Sequence, residues 1–181
     1  MPTEIIYYVA ASLDGYIAAA DGSVEWLTPF QSPEGEKNYT DFYASVDALL
    51  MGRRTYEQIL GFGQWPYAGK PAYIFAHNKN MAASGDVTVT NRTPAEVAIE
   101  LRTKNVRRAW LVGGAQLASA FRSEGLISEY IINVIPMLLG SGVPLLTPPS
   151  PVERLRLTGT THLPLGIVQL RYLRDLSNPR Q

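Results

Sequence analysis

One local pattern occurs twice in this chain: a short apolar run that ends in glycine and passes directly into a helical segment. In VDALLMGRRTYE the run at residues 48–51 meets Gly52, and in RRAWLVGGAQLASAF the run at residues 108–112 meets Gly113 and Gly114. A continuously apolar strand needs cover on both faces, and a helix that crosses back over the sheet supplies it. Two such units predict an α/β chain with parallel strands.

The remaining segments extend that prediction. EIIYYVAA at residues 4–11 is an almost uninterrupted apolar run of strand length. Residues 12–33 follow as a long polar connection containing glycines and Trp26, and a connection of that length in a compact domain usually carries function. Ser32 reads as a helix N-cap with Pro33 in the first turn, and Glu34 and Glu36 suit the positive end of the helix dipole, predicting a helix to about residue 45. A second helix is predicted over 53–60, and strands over 71–76 and 86–90. Thr93-Pro94-Ala95-Glu96 is a capping box that opens a helix to about residue 104. The helix over 115–124 ends at Gly125. Residues 129–135 read as a strand, followed by the loop PMLLGSGVPLLTPPSP. Residues 154–162 and 167–174 read as a hairpin around Pro164-Leu165-Gly166, and the tail SNPRQ as frayed. The predicted fold is α/β: a mainly parallel central sheet with an antiparallel C-terminal hairpin and helices on both faces. No repeat or linker divides residues 1–181, which predicts one domain.

Charge narrows the partners. Lys plus Arg and Asp plus Glu number 16 each, so no overall field draws nucleic acid or an anionic membrane, and any anion must be held locally. Absence of cysteine removes disulfides, thiolate catalysis and cysteine metal sites, and no metal site is expected. The N-terminus lacks a basic region and is bracketed by Glu4 and Asp14, unlike a signal peptide. The apolar run over 130–139 is too short to span a membrane. The expected location is cytoplasmic.

In an open α/β sheet, ligands collect at the carboxyl ends of the strands. Four places qualify. Gly52, Arg53, Arg54 and Thr55 are either a tight turn with surface arginines or a phosphate cradle of free N–H groups with guanidinium and hydroxyl donors. Val112, Gly113, Gly114, Ala115, Gln116 and Leu117 offer the same choice, and the two would have to converge to hold one ligand. Ala76, His77, Asn78 and Lys79 close the strand over 71–76 and are either a strand-end turn or a further phosphate contact. Asp14-Gly15 is a turn signal, yet it follows the first strand, where a carboxylate would face a ligand. Trp26 is either a substrate-contacting lid residue or the clasp of its own loop. Phe62, Trp65 and Tyr67 are core or dimer contacts, or a stacking platform for a flavin or folate.

Three ordered stretches, AASLDGYIA, VDALLMGRRTYE and LVGGAQLASAFRSEGLISEYIINVIPMLLGSGVPLL, resemble the dihydrofolate reductase-like fold. Within it they resemble the reductase family named for the C-terminal domain of the bifunctional deaminase-reductase of riboflavin biosynthesis, in its stand-alone single-domain branch. The resemblance implies an NADPH-dependent reductase, with hydride transfer to a small heterocyclic, carbonyl or imine substrate of the 5-amino-6-ribosylaminouracil or pterin type. It implies that Ala11 and Ile17 flank the nicotinamide, that residues 52–55 and 112–117 hold the phosphates, and that His77, Asn78 and Lys79 lie near the adenosine 2′-phosphate. It also implies a cis peptide at Gly113-Gly114 and a homodimer, through the terminal strands and the loop over 136–148. Asp14 and Glu36 are the expected proton donors, on the ground that a carboxyl in a partly dry cleft keeps its proton. Where the dihydrofolate reductases carry an arginine before the third strand, this chain has Lys70. The alternative is a non-catalytic module on the same fold that binds a nucleotide, flavin or folate.

Overall fold

Ile5, Ile6, Tyr7 and Tyr8 are all buried, so strand β1 (Glu4–Ser12) has no wet face. In a computed structural model, which describes residues 2–77, 86–148 and 151–175, β1 lies inside an eight-stranded sheet. The other strands of that sheet are β3 (Ala48–Gly52), β4 (Ala72–Phe75), β5 (Val87–Thr90), β6 (Arg108–Gly113), β7 (Ile127–Ile135), β9 (Leu155–His162) and β10 (Val168–Arg174). Their order is β5-β4-β3-β6-β1-β7-β10-β9. The strands from β5 to β7 run parallel, whereas β10 is antiparallel to both β7 and β9. The expected α/β architecture with an antiparallel C-terminal hairpin is therefore the one observed.

Strand alternation sorts the core into two halves. Ile5, Tyr7, Leu50 and Leu111 pack beneath α3 (Pro94–Thr103) and α4 (Ala115–Ser123), where Val97, Leu101 and Phe121 are fully buried. Ile6, Tyr8, Leu49 and Met51 pack on the opposite face beneath α1 (Pro33–Ala44) and α2 (Arg53–Gly61), with Phe42, Tyr56 and Trp110. Phe121 meets Phe75 edge-on at 5.5 Å. On the other face Trp110 is ringed by Tyr8, Phe42 and Tyr67, and its indole N–H donates to the Tyr8 carbonyl at 3.0 Å.

The long polar connection over 12–33 carries regular structure of its own. It holds β2 (Tyr16–Ala18) and a 3-10 helix, Glu25–Phe30. β2 pairs antiparallel with β8 (Val143–Pro144), a partner too distant in sequence for local patterning to reveal. Trp65 and Tyr67 belong to the core, as edge-on contacts with Tyr56, Trp110 and each other, while Phe62 is exposed. Among the described residues, no helix is long and apolar enough to cross a membrane. The tail beyond residue 175 lies outside the described residues.

Candidate active site at the carboxyl edge of the sheet

Parallel pairing brings the two glycine turns together. β3 and β6 are neighbours, with Met51 opposite Gly113. The next residues, Gly52 and Gly114, are the N-caps of α2 and α4. A Cβ built on Gly52 would stand 3.7 Å from the Gly114 nitrogen, and one built on Gly114 would stand 3.4 Å from the Thr55 hydroxyl. The Gly113-Gly114 peptide is cis, as the resemblance implied. Gly113 has φ +123°, a conformation that only glycine adopts without strain, and a Cβ there would meet nothing within 4 Å.

Helix capping separates these two mouths from the others. Ser32 caps α1 by accepting from the Gly35 N–H at 3.0 Å, and Thr93 with Glu96 forms a complete capping box on α3. Neither α2 nor α4 has a side-chain cap. Their first-turn N–H groups, with the positive ends of two helix dipoles, converge on one place at the sheet edge, an arrangement suited to an anionic group. A diphosphate fits the donor set, because glycine leaves the approach to the backbone bare.

The side chains around this cradle vary in their freedom. Arg53 is exposed and pairs with Glu57 along α2 at 2.7 Å. Arg54 is exposed and makes no hydrogen bond or ion pair with another described residue. Val112 and Leu117 are half-buried, Ala115 is buried and Gln116 is exposed. β4 lies beside β3, with Phe75 opposite Gly52, so buried Ala76 and exposed His77 stand at the same edge. Asn78 and Lys79 lie outside the described residues.

Further along the same edge, a cavity of about 790 Å³ opens where β1 and β7 meet α1, the 3-10 helix and the hairpin turn. Ala10 and Asn133 lie opposite one another on its floor. Gln169, only 1% exposed, donates through its side-chain nitrogen to the carbonyl oxygens of Asn38 at 2.8 Å and Asn133 at 2.9 Å. The Tyr8 hydroxyl donates to the same Asn38 oxygen at 3.4 Å. Burial pushes the Tyr8 hydroxyl above its ordinary range, so it stays protonated at neutral pH; a hydrogen bond with Asn133 and the charge of Arg171 oppose that shift. Glu36 lines the wall from the first turn of α1.

Other candidates fall beside this cavity. Leu27 and Phe30 line it, but Trp26, from the same 3-10 helix, does not; its indole N–H is buried without a partner among the described residues. Ala11 is buried on the face of β1 opposite Ala10, and Ile17 is half-buried on β2.

Asp14 requires a correction. Its exposed carboxylate accepts from the Ser12 hydroxyl at 2.6 Å and from the backbone N–H groups of Leu139 at 3.1 Å and Gly140 at 2.7 Å. The Ser12 bond first, then the backbone donors, hold it below the ordinary carboxylate range. It is ionised at neutral pH and ties the turn after β1 to the loop after β7, the opposite of a group that stores a proton. Lys70 is also spent on structure: it donates to the carbonyls of Tyr43 at 2.6 Å and of Val46, and lies 4.3 Å over the Tyr43 ring.

Four floor residues, Tyr8, Asn38, Asn133 and Gln169, were not singled out from sequence. The available signal was polarity inside strands: Asn133 interrupts the apolar run of β7, and Gln169 sits in β10 with its side chain buried.

The profile of the RibD C-terminal domain matches residues 3–169. YwjB of Bacillus subtilis (strain 168), an uncharacterized protein, is 38% identical over 175 residues, covering 96% of this chain and 99% of YwjB. In structure the chain is similar to a candidate riboflavin biosynthesis protein of Shewanella sp. PV-4, with a TM-score of 0.84, 28% identity, and coverage of 97% of this chain and 99% of that one. It shares its fold with the diaminohydroxyphosphoribosylaminopyrimidine deaminase/5-amino-6-(5-phosphoribosylamino)uracil reductase of Thermotoga maritima, with a TM-score of 0.73 and 12% identity, covering 96% of this chain and 57% of that one.

Proposed function

The chain belongs to the RibD C-terminal domain family, and from that premise we propose that it is a reductase that uses NADPH to reduce a carbon–nitrogen or carbon–oxygen double bond in a small heterocycle. The meeting of two uncapped helix mouths at adjoining strand ends supports this reading most directly. Backbone N–H groups of residues 52–55 and 113–117 hold the diphosphate, with Arg53, Arg54 and Thr55 as further donors. His77, followed by Asn78 and Lys79, takes the 2′-phosphate end. Val112, Ala115, Gln116 and Leu117 wall the groove, and Ala11 and Ile17 flank the nicotinamide end. Bound there, the dinucleotide supplies a hydride; the orientation of that chemistry is the protein's task.

The cavity beside β1 holds the substrate. Leu27, Phe30 and Ile135 exclude water from one side, and the Tyr8 hydroxyl and the asparagine amides fix the ring. The exposed Glu36 carboxylate relays a proton from solvent to the nitrogen or oxygen that gains negative character as the adjacent carbon is reduced.

Titration with NADPH, followed by loss of its nicotinamide absorbance in the presence of carbonyl, pterin and pyrimidine compounds, tests the proposal. Tight binding with oxidation is expected, and Glu36→Gln lowers turnover at least about tenfold while NADPH still binds. Binding without oxidation of any compound would instead favour a non-catalytic module. We further propose that the chain acts in the cytoplasm as a homodimer. The edge strand β9 and the exposed Leu138 and Leu157 support pairing, and light scattering at the mass of two chains is the expected result.

A further inference from the structure

Among the described residues that line the cavity, Glu36 is the single charged group, and none is Lys, Arg or His. The nearby cations lie outside that lining: Lys37 is exposed and pairs with Asp41 at 2.5 Å, and Arg171, whose charge reaches the Tyr8 hydroxyl from beyond the lining, lies 3.7 Å from Glu129. The mouth of α1 also lies on the wall, but most of its donors are spent and its first turn is acidic. Pro33 has no N–H, the Ser32 side chain occupies the Gly35 N–H, the Ser32 carbonyl occupies the Glu36 N–H at 2.9 Å, and Glu34 and Glu36 place two carboxylates in that turn. A phosphate dianion would touch no cation among the described lining residues and would face the Glu36 carboxylate.

The floor is suited to a different ligand. Gln169 spends both protons of its side-chain amide on the carbonyl oxygens of Asn38 and Asn133. That fixes which way each asparagine points and leaves their NH₂ groups as neutral donors, the Asn133 group already giving one of its two protons to the Tyr8 oxygen. The Asn38 NH₂ makes no hydrogen bond to a described residue. The asparagine amide donors match carbonyl oxygens and ring nitrogens, and the Glu36 carboxylate matches ring N–H groups.

Resting on the reductase reading above, we propose that this cavity takes an unphosphorylated lactam-type heterocycle, presenting an uncharged edge of carbonyl and N–H groups, and rejects the sugar phosphate named in the Thermotoga enzyme's activity. The specificity follows from a lining built of neutral amides around one carboxylate.

Calorimetric titration with matched pairs tests this: 5-amino-6-ribosylaminouracil with and without its 5′-phosphate, and neopterin with and without a side-chain phosphate. Each unphosphorylated member binds at least about tenfold more tightly than its phosphorylated partner, because one like-charge contact is removed. Equal or tighter binding of the phosphorylated members overturns the proposal, as does failure of both unphosphorylated members to bind. Glu36→Lys, at an exposed position, raises affinity for the phosphorylated members, and an unchanged preference counts against the proposal. Asn133→Ala weakens the unphosphorylated compounds at least about tenfold while leaving NADPH affinity unchanged, since an amide donor on the floor is lost; unchanged heterocycle affinity contradicts the role given to the floor. Each titration is run with and without NADPH. Failure of the protein to bind or oxidise NADPH then removes the reductase reading and leaves the preference of the cavity measurable.

Discussion

Replacing Gly52 with alanine separates the binding role of the cradle from its structural role. Gly52 has φ −77° and ψ 160°, ordinary extended backbone that alanine adopts freely. The new methyl would lie 3.7 Å from the Gly114 nitrogen and 3.8 Å from the Gly113 oxygen, normal van der Waals separations. The fold therefore tolerates it. A stiffer unfolded chain contributes about 0.4–1 kcal/mol of stability, offset by the poorer N-cap preference of alanine, so Tm stays nearly constant. Binding is affected differently. The methyl covers the space that an oxygen accepting from the Gly114 N–H must enter, and losing one charge-assisted hydrogen bond costs about 1.5–3 kcal/mol. NADPH affinity should fall about 10- to 100-fold. Calorimetric titration and thermal melting of the two proteins are the assays. Unchanged affinity at unchanged Tm would refute the placement of the diphosphate.

Three further outcomes follow from individual groups. Glu100 is held at about 2 by hydrogen bonds from Lys104, then Arg92 and Tyr73, so its stabilising contribution is present above the ordinary value of 4.5 and is lost as pH falls toward 2. After solvent screening that contribution is about 1 kcal/mol, and urea melts of Glu100→Gln should lack this acid-dependent loss of stability; an identical pH profile in the variant would contradict the assignment. Lys70→Met leaves the Tyr43 and Val46 carbonyls without their donor and should cost about 1–3 kcal/mol in denaturant melts, with NADPH affinity and KM unaltered; a raised KM would mean that Lys70 reads the substrate. Asp14→Asn should retain turnover within about threefold, since an ionised carboxylate tying two loops donates no proton; its mark should be faster proteolysis of the segment over 137–142, and a collapse of turnover would restore Asp14 as the donor.

Local patterning carried much of this fold because the deciding forces act locally. The Thr93–Glu96 capping box, the Ser32-Pro33 helix start and the apolar run of β1 are each specified within a few residues, and each stands where the sequence indicated. The two glycine turns were also visible, but their convergence depends on β3 lying beside β6 with Met51 opposite Gly113, a register set by the packing of the whole sheet. The cavity floor was least visible. Tyr8 looks like any aromatic in an apolar strand, and its hydroxyl matters only because α1 and β10 bring Asn38 and Gln169 to it. Asp14 misled because a turn carboxylate beside a central strand looks free, whereas loop closure over more than a hundred residues delivers the Leu139 and Gly140 amides to it.

A crystal structure of the protein grown with excess NADPH tests the central claim most directly. The diphosphate should accept hydrogen bonds from the first-turn amides of α2 and α4, with the nicotinamide reaching the end of β1 beside the cavity. A dinucleotide bound elsewhere, or those amides facing only solvent at saturating NADPH, would contradict the account.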